Sequence, residues 1–172
     1  MTEQQKAAEA DAVMTRIGQA IMLLHAGDRE EARNRLGVIW AEFGRDTEPL
    51  HRCTLAHYMA DAQDDPADEL AWDLRALNAA DELGDGRPAR RGPAVAVRAF
   101  YPSLHLNLAA DYLKLQRRAA ARVHLDRARS ACAALPDDTY TNGVRVAIGR
   151  LERRLESGRG DTGPGPYPGR FT

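Results

Sequence analysis

Three side chains that can carry out chemistry follow one another at intervals of four residues: Cys53, His57 and Asp61. Because residues four positions apart lie on the same side of a helix, all three share one helical face. A thiol beside an imidazole pairs a nucleophile with a base, and cysteine with histidine is also half of a zinc site. No HxxxH or CxxC pair in the sequence supplies the missing ligands. The spacing therefore favours a His57–Asp61 contact in or beside a binding surface, and we predict no metal.

A second group of polar residues, His105, Asn107, Asp111 and Tyr112, has the residue types of an acid–base site. Asn107 and Asp111 lie one helical turn apart, whereas Tyr112 falls on the apolar side of the same segment, where packing accounts for it. This pattern favours surface or interhelical hydrogen bonds. We therefore predict no catalytic residue, and a small helical enzyme or accessory protein with its site beside His57 is the alternative.

The composition is that of an ordinary globular domain: 172 residues, of which 44% are hydrophobic and 28% are charged. A formal net charge of -1 and an aromatic content of 6% argue against a nucleic-acid partner, which requires a basic face and stacking aromatic side chains. No apolar run is long enough to cross a membrane, and the first residues lack the pattern of a secretory signal. Cys53 and Cys132 lie among small or apolar neighbours, as buried free thiols do, so we predict a cytoplasmic protein.

The hydrophobic spacing predicts helices along most of the chain, arranged as hairpins. The first hairpin covers about residues 3–44, and Thr2 with Gln5 predicts a capping box at its start. Gly27 is expected to end the first helix of this hairpin, and Asp28 to cap the second.

Residues 84–101 form an insertion whose first part is rich in Gly, Pro and Arg. Its residues 94–100 either add a short helix or extend the next one, and Pro102 is expected at a kink or in the first turn of a helix that begins near Ser103. The last residues of the chain combine Gly, Pro and charge, which predicts disorder. Together these patterns predict hairpins at about 51–83 and 103–134, a capping helix at about 139–156 and a disordered tail at 158–172.

The three hairpins share a pattern of large and small apolar residues where their helices would meet. These positions are Leu108, Ala109, Tyr112, Ala121, Leu125 and Ala128 in the third hairpin, Ala20, Leu23, Ala32, Leu36 and Ile39 in the first, and Leu55, Ala56, Met59, Leu70, Leu74 and Leu77 in the second. The pattern resembles that of tetratricopeptide repeats, which are helical hairpins that bury their apolar faces by stacking in arrays. Over about residues 13–134 the chain looks like the stand-alone tetratricopeptide-repeat proteins of actinobacteria.

The resemblance implies an all-α fold, a right-handed stack of about three such hairpins within one domain at 1–157, closed by the capping helix. It also implies a non-enzymatic scaffold or adaptor that binds a segment of another protein in the concave groove, which the first helix of each hairpin lines. The expected groove residues are Ile17, Ile21 and His25 in the first hairpin, Cys53, His57 and Asp61 in the second, and Leu106, Ala110 and Lys114 in the third.

Two alternatives concern this groove. Ile17 and Ile21 are also placed as core residues would be, either within the domain or across a dimer. A carboxylate clamp, which some arrays use, needs several converging cationic side chains, and of the equivalent positions only Asn107 matches. We therefore predict a protein or peptide partner without a cofactor or a C-terminal carboxylate clamp, and leave a homodimer or self-association module open.

Overall fold

The computed structural model describes residues 2–84 and 93–157, and within these ranges it contains seven α-helices and no β-strand. The predicted all-α class is confirmed. None of these helices is long and apolar enough to span a membrane. The helices are α1 (Glu3–His25), α2 (Arg29–Glu42), α3 (Pro49–Asp61), α4 (Pro66–Gly84), α5 (Pro93–Lys114), α6 (Arg118–Ala133) and α7 (Thr139–Glu156).

The chain divides into two compact units, Met1–Ala79 and Ala80–Thr172, so the boundary lies within α4. The sequence did not predict this boundary. The predicted disordered tail at 158–172 lies outside the described residues, as do residues 85–92 of the predicted insertion.

Local side-chain hydrogen bonds explain where the first helices begin. The N–H of Gln5 donates to Thr2 Oγ1 over 3.3 Å, and the N–H of Thr2 donates to Gln5 Oε1 over 2.8 Å, which is the predicted capping box. Asp28 accepts a hydrogen bond from the N–H of Glu31, and Asp65 accepts two from the first turn of α4. These bonds satisfy backbone donors that have no partner inside the helix.

The start of α5 differs from the simplest expectation. The helix begins at Pro93 instead of near Ser103, so residues 94–100 extend it and do not form a separate helix. Pro102 therefore lies inside α5, where it removes one backbone hydrogen bond. Its side chain is fully buried, and this packing offsets part of that loss.

The first unit is held together by an apolar core to which α1, α2 and α3 all contribute. At its edge Trp40 of α2 and Trp72 of α4 make an edge-to-face contact, with ring centroids 5.0 Å apart. The buried members of this core are Ile17, Ala20, Leu36, Ile39, Leu55 and Met59.

The second unit has a core formed by α5, α6 and α7. Small residues lie where α5 and α6 meet, which allows the two backbones to approach closely, and leucines and β-branched residues of α7 cover them. The buried members are Leu106, Ala109, Leu113, Ala121, Leu125, Ala128, Cys132, Val144, Ala147, Ile148, Leu151 and Leu155.

The turn between α1 and α2 has the same backbone conformation as the turn between α5 and α6. Gly27 and Gln116 adopt positive φ angles of 91° and 59°. The next residues are also alike: Asp28 has φ -85° and ψ 68°, and Arg117 has φ -89° and ψ 65°. In both turns the N–H of this second residue donates to the carbonyl five residues earlier, over 3.0 and 2.8 Å. The two helices of the hairpin are therefore joined by the same type of turn in each unit.

A second feature is common to both units. Arg29, the first residue of α2, donates to the carbonyl of Gln63, two residues after the end of α3, over 2.6 Å. Arg118, the first residue of α6, donates to the carbonyl of Leu155 at the end of α7. In each unit, then, an arginine at the start of the second helix of the hairpin donates to a carbonyl in the last turn of the next helix or just beyond it, where backbone carbonyls lack helical partners. We call these two contacts the arginine clamps.

Candidate functional site

The three groove candidates on α1 lie in different environments. Ile17 is fully buried in the core of the first unit, beside Leu36 and Leu55, and Ile21 is half-buried against the same core. This is the core position that the sequence allowed as the alternative. Only His25, the last residue of α1, has an exposed side chain.

The candidates on α3 lie mostly inside the first unit. Cys53 and His57 are buried, with 2% and 4% of their surface exposed, and Asp61 at the end of α3 is half-buried. A residue that the sequence did not single out, Asp73 of α4, lies beside them: its Oδ1 is 3.9 Å from His57 Nδ1. The spacing within α3 could not indicate this neighbour, because Asp73 comes from a different helix.

The environment of Cys53 bears on whether its thiol can react. Burial, with a smaller contribution from the negative charge of Asp73, raises the pKa of Cys53 to about 12. The thiolate is the form that attacks an electrophile or binds a metal, and a thiol with this pKa remains protonated at neutral pH. Cys53 is therefore a poor nucleophile and a poor metal ligand in this conformation.

The candidates on α5 belong to the second unit. Leu106 is buried in its core, and Ala110 packs against that core. Lys114 is partly exposed, and its Nζ lies 3.7 Å from Oδ1 of Asp111, which is fully buried one helical turn earlier. Lys114 therefore contributes a charge at the surface of this unit, whereas Leu106 contributes to the interior.

An exposed surface on α1 was missed by the sequence analysis. Met14 and Met22 are 37% and 71% exposed, and Gly18 lies between them, four residues from each. A Cβ atom at Gly18 would meet nothing within 4 Å, so the backbone between the two methionines is open. We call these three residues the α1 methionine stripe. The four-residue spacing could have indicated it, but the neighbouring isoleucines gave the stronger apolar signal.

A shallow groove of about 330 Å³ runs between α1 and α2 on the surface of the first unit. Its charged side chains are already paired: Arg16 donates to both carboxylate oxygens of Glu42, over 2.5 and 2.8 Å, and Arg35 donates to Glu31 over 2.7 Å. The groove therefore presents little net charge. Its lining residues are Arg16, Gln19, Glu31, Asn34, Arg35, Val38 and Ile39.

Two histidines of the second unit meet where α5 and α6 pack together. Nδ1 of His105 lies 3.1 Å from Nδ1 of His124. Each ring is also stacked on a tyrosine: Tyr101 on His105 with 26° between the ring planes, and Tyr112 on His124 with 23°. We call His105 and His124 the histidine pair. The sequence gave no reason to choose His124, because its proximity to His105 depends on how the two helices pack.

The histidine pair is uncharged at neutral pH. Burial lowers the pKa of His105 to about 4, helped by His124 and by the positive charge of Arg127. Burial and Arg127 also lower the pKa of His124. With both rings neutral, one Nδ1–H donates to the other Nδ1 across the 3.1 Å contact.

No protein-family model, no curated protein and no solved structure matches this chain. A functional assignment therefore rests on the chain's own residues and their geometry.

Proposed function

We propose that this protein is a non-enzymatic helical-repeat adaptor that binds a segment of another protein. The observation that carries the proposal is a structural duplication. Each unit has the same type of interhelix turn, and each has its own arginine clamp. Recurrence of one supersecondary unit along a chain is typical of helical-repeat proteins, most of which serve as binding scaffolds.

The packing of the hairpins supports the resemblance to tetratricopeptide repeats. Ala20 and Ala32 in the first hairpin are fully buried, and so are Ala109 and Ala121 in the corresponding hairpin of the second unit. These are the small-residue positions at which such repeats bring their helices together. We therefore propose a right-handed stack of tetratricopeptide-like hairpins in which α7 is the capping helix.

The surface that we assign to the partner in the first unit is the α1 methionine stripe. Ile17, Cys53 and His57 are buried and do not offer contacts to a second protein, whereas Met14 and Met22 do. Methionine side chains are flexible and polarizable, so they adapt to apolar residues of varied shape. An extended or helical segment with one apolar anchor fits such a surface.

The proposal is tested by capture from a lysate of the source organism, with three baits. The first is the native chain, and the second is a variant with Met14→Gln and Met22→Gln. The third carries Val123→Gln and Val146→Gln, which remove two exposed apolar side chains elsewhere. We expect one protein to bind the first and third baits and not the second, with the helical circular dichroism of all three alike.

Equal capture by all three baits would move the partner site away from α1. If no bait captures a protein, the adaptor function fails. The molar mass in solution then decides whether the chain instead associates with itself, which a dimer would indicate.

A further inference from the structure

The α1 methionine stripe lies at the centre of a helix face whose residues are arranged symmetrically. Along α1, Asp11, Met14, Gly18, Met22 and His25 follow one another at intervals of three, four, four and three residues. Residues at these intervals lie on the same side of a helix, and the four side chains are all exposed. On each side of Gly18, therefore, a methionine comes first and an ionisable side chain comes next, acidic on one side and basic on the other.

Gly18 itself is not required by the packing of its own unit. It lies inside α1 and does not have a positive φ, and a Cβ atom there would meet nothing within 4 Å among the described residues. Glycine in the middle of a helix destabilises the fold relative to alanine, because it loses more conformational freedom on folding. What glycine allows in return is the close approach of a second backbone. That backbone would have to come from another molecule.

We propose that a second copy of this chain covers this face, with the two α1 helices antiparallel and the two Gly18 residues facing each other at a two-fold axis. A residue that precedes Gly18 then lies opposite the residue that follows Gly18 by the same number of positions. Met14 of one copy meets Met22 of the other, and Asp11 meets His25. Each contact occurs twice, because a two-fold interface uses the same surface of both copies. We call this arrangement the α1 dimer.

The charges favour a second copy over an unrelated segment. The carboxylate of Asp11 accepts a hydrogen bond from the imidazole of His25 in either protonation state, and the contact becomes an ion pair when the imidazole is charged. A parallel arrangement in the same register would instead place Asp11 beside Asp11, and like charges at an interface oppose association. A two-fold dimer requires a face that is complementary to itself, whereas an unrelated partner does not.

The apolar part of this contact is small. Met14 and Met22 are 37% and 71% exposed, so the α1 dimer would remove four methionine side chains from water, and these flexible side chains can fill the space beside Gly18. A contact between two helices buries less surface than a permanent dimer does. We therefore expect a dissociation constant on the order of 10 µM.

The α1 dimer would regulate the proposed binding of a partner, because the dimer and the partner segment compete for the methionine stripe. This competition rests on the proposed function, whereas the dimer does not, since it is measured on the purified chain with no partner present. A monomeric chain that still captures a partner from lysate would refute the dimer and leave the adaptor. A dimeric chain that captures no other protein would refute the adaptor and leave the dimer.

The experiment is sedimentation equilibrium of the purified, tag-free full chain, from about tenfold below to about thirtyfold above the expected dissociation constant. We expect a monomer–dimer equilibrium for the native chain. Gly18→Glu places a carboxylate at the two-fold axis, opposite its own copy, and should weaken dimerisation about thirtyfold or more. The matched control is Gln19→Glu, which adds the same charge at the next exposed residue of α1 and should change the dissociation constant less than about threefold.

An exchange of charges tests the antiparallel register. His25→Glu places a second carboxylate opposite Asp11 and should weaken the dimer about fivefold. Adding Asp11→Arg restores opposite charges, and the double variant should dimerise within about twofold of the native chain. Circular dichroism establishes that each variant is folded, and the charge exchange decides the result if Gly18→Glu is not.

The α1 dimer is overturned if the native chain remains monomeric at the highest concentration. It is also overturned if folded Gly18→Glu dimerises as well as the native chain, or if the double variant dimerises no better than His25→Glu.

Discussion

Gln116 adopts the left-handed backbone conformation that Gly27 adopts in the corresponding turn of the other unit. Glycine reaches this conformation without a steric penalty, whereas a residue with a Cβ atom does not. The second unit thus keeps the turn without the residue that favours it, because the flanking hydrogen bonds from the N–H groups of Gln116 and Arg117 hold the backbone in place.

This difference predicts a stabilising substitution. Gln116→Gly removes the steric penalty of the left-handed conformation, but glycine also raises the conformational entropy of the unfolded chain. Because the first effect is the larger, we expect the free energy of unfolding to rise by about 0.5–1 kcal/mol. Gln116→Ala is the matched control, because it shortens the side chain and keeps the penalty. Urea unfolding followed by circular dichroism measures both. Equal stability of the two variants would show that the turn is not strained.

The contact between α5 and α6 should be intolerant of larger residues. Ala109 is fully buried in it, so Ala109→Leu should lower the free energy of unfolding by about 1–3 kcal/mol through overpacking. Ala119→Leu places the same side chain at an exposed position on α6 and should have little effect. Thermal and urea unfolding of the two variants make the comparison. A stable Ala109→Leu protein would contradict the close packing of this hairpin.

The histidine pair should make stability depend on pH. The folded-state pKa of His105, about 4, lies below the ordinary value of 6.5. Between these two pH values the imidazole of His105 is therefore protonated in the unfolded chain and neutral in the folded chain. The resulting stabilisation is present above pH 6.5 and is lost as the pH falls towards 4. When the pH falls from 7.5 to 5, we expect His105 to lower the free energy of unfolding by about 1–2 kcal/mol, after allowance for its partial exposure.

The measurement is urea unfolding of the native chain and of His105→Gln at both pH values. The variant should lose less stability than the native chain over this interval. His25→Gln, which leaves the pair intact, should behave like the native chain. If His105→Gln and the native chain respond alike, the pair does not couple protonation to folding.

The arginine clamp of the second unit should contribute to stability. Arg118→Ala removes the hydrogen bond to the carbonyl of Leu155, which should lower the free energy of unfolding by about 1 kcal/mol. The loss is no larger because this hydrogen bond is only partly buried, so water can replace part of it. Arg122→Ala removes an exposed arginine one turn later on the same helix and serves as the control. Thermal unfolding compares the two. If the two variants unfold alike, the clamp makes no net contribution.

Features that depend on neighbouring residues in the sequence could be predicted. The capping box at Thr2 and the cap at Asp28 were recognised from short motifs, and each forms the expected hydrogen bonds. The start of α5 could not be placed in the same way. A proline usually marks the beginning of a helix, and only tertiary packing shows that the helix continues through Pro102.

The candidate sites were harder to predict, because they depend on contacts between helices. Asp73 and His124 lie far along the chain from His57 and His105, and no local spacing relates them. On α1 the periodicity identified an apolar helix, but a small rotation decides which apolar residues enter the core. Ile17 is buried and Met22 is exposed, although both belong to the same apolar segment.

The arginine clamps constrain how this protein can be divided. Each clamp joins the second helix of a hairpin to a helix beyond the hairpin, so a fragment that stops at the end of α2 would retain Arg29 and lack its acceptor after α3. A truncation directly after either hairpin would therefore keep the donor of this hydrogen bond and remove its acceptor. A minimal fragment of the first unit has to continue past Gln63, and one of the second unit has to include the last turn of α7.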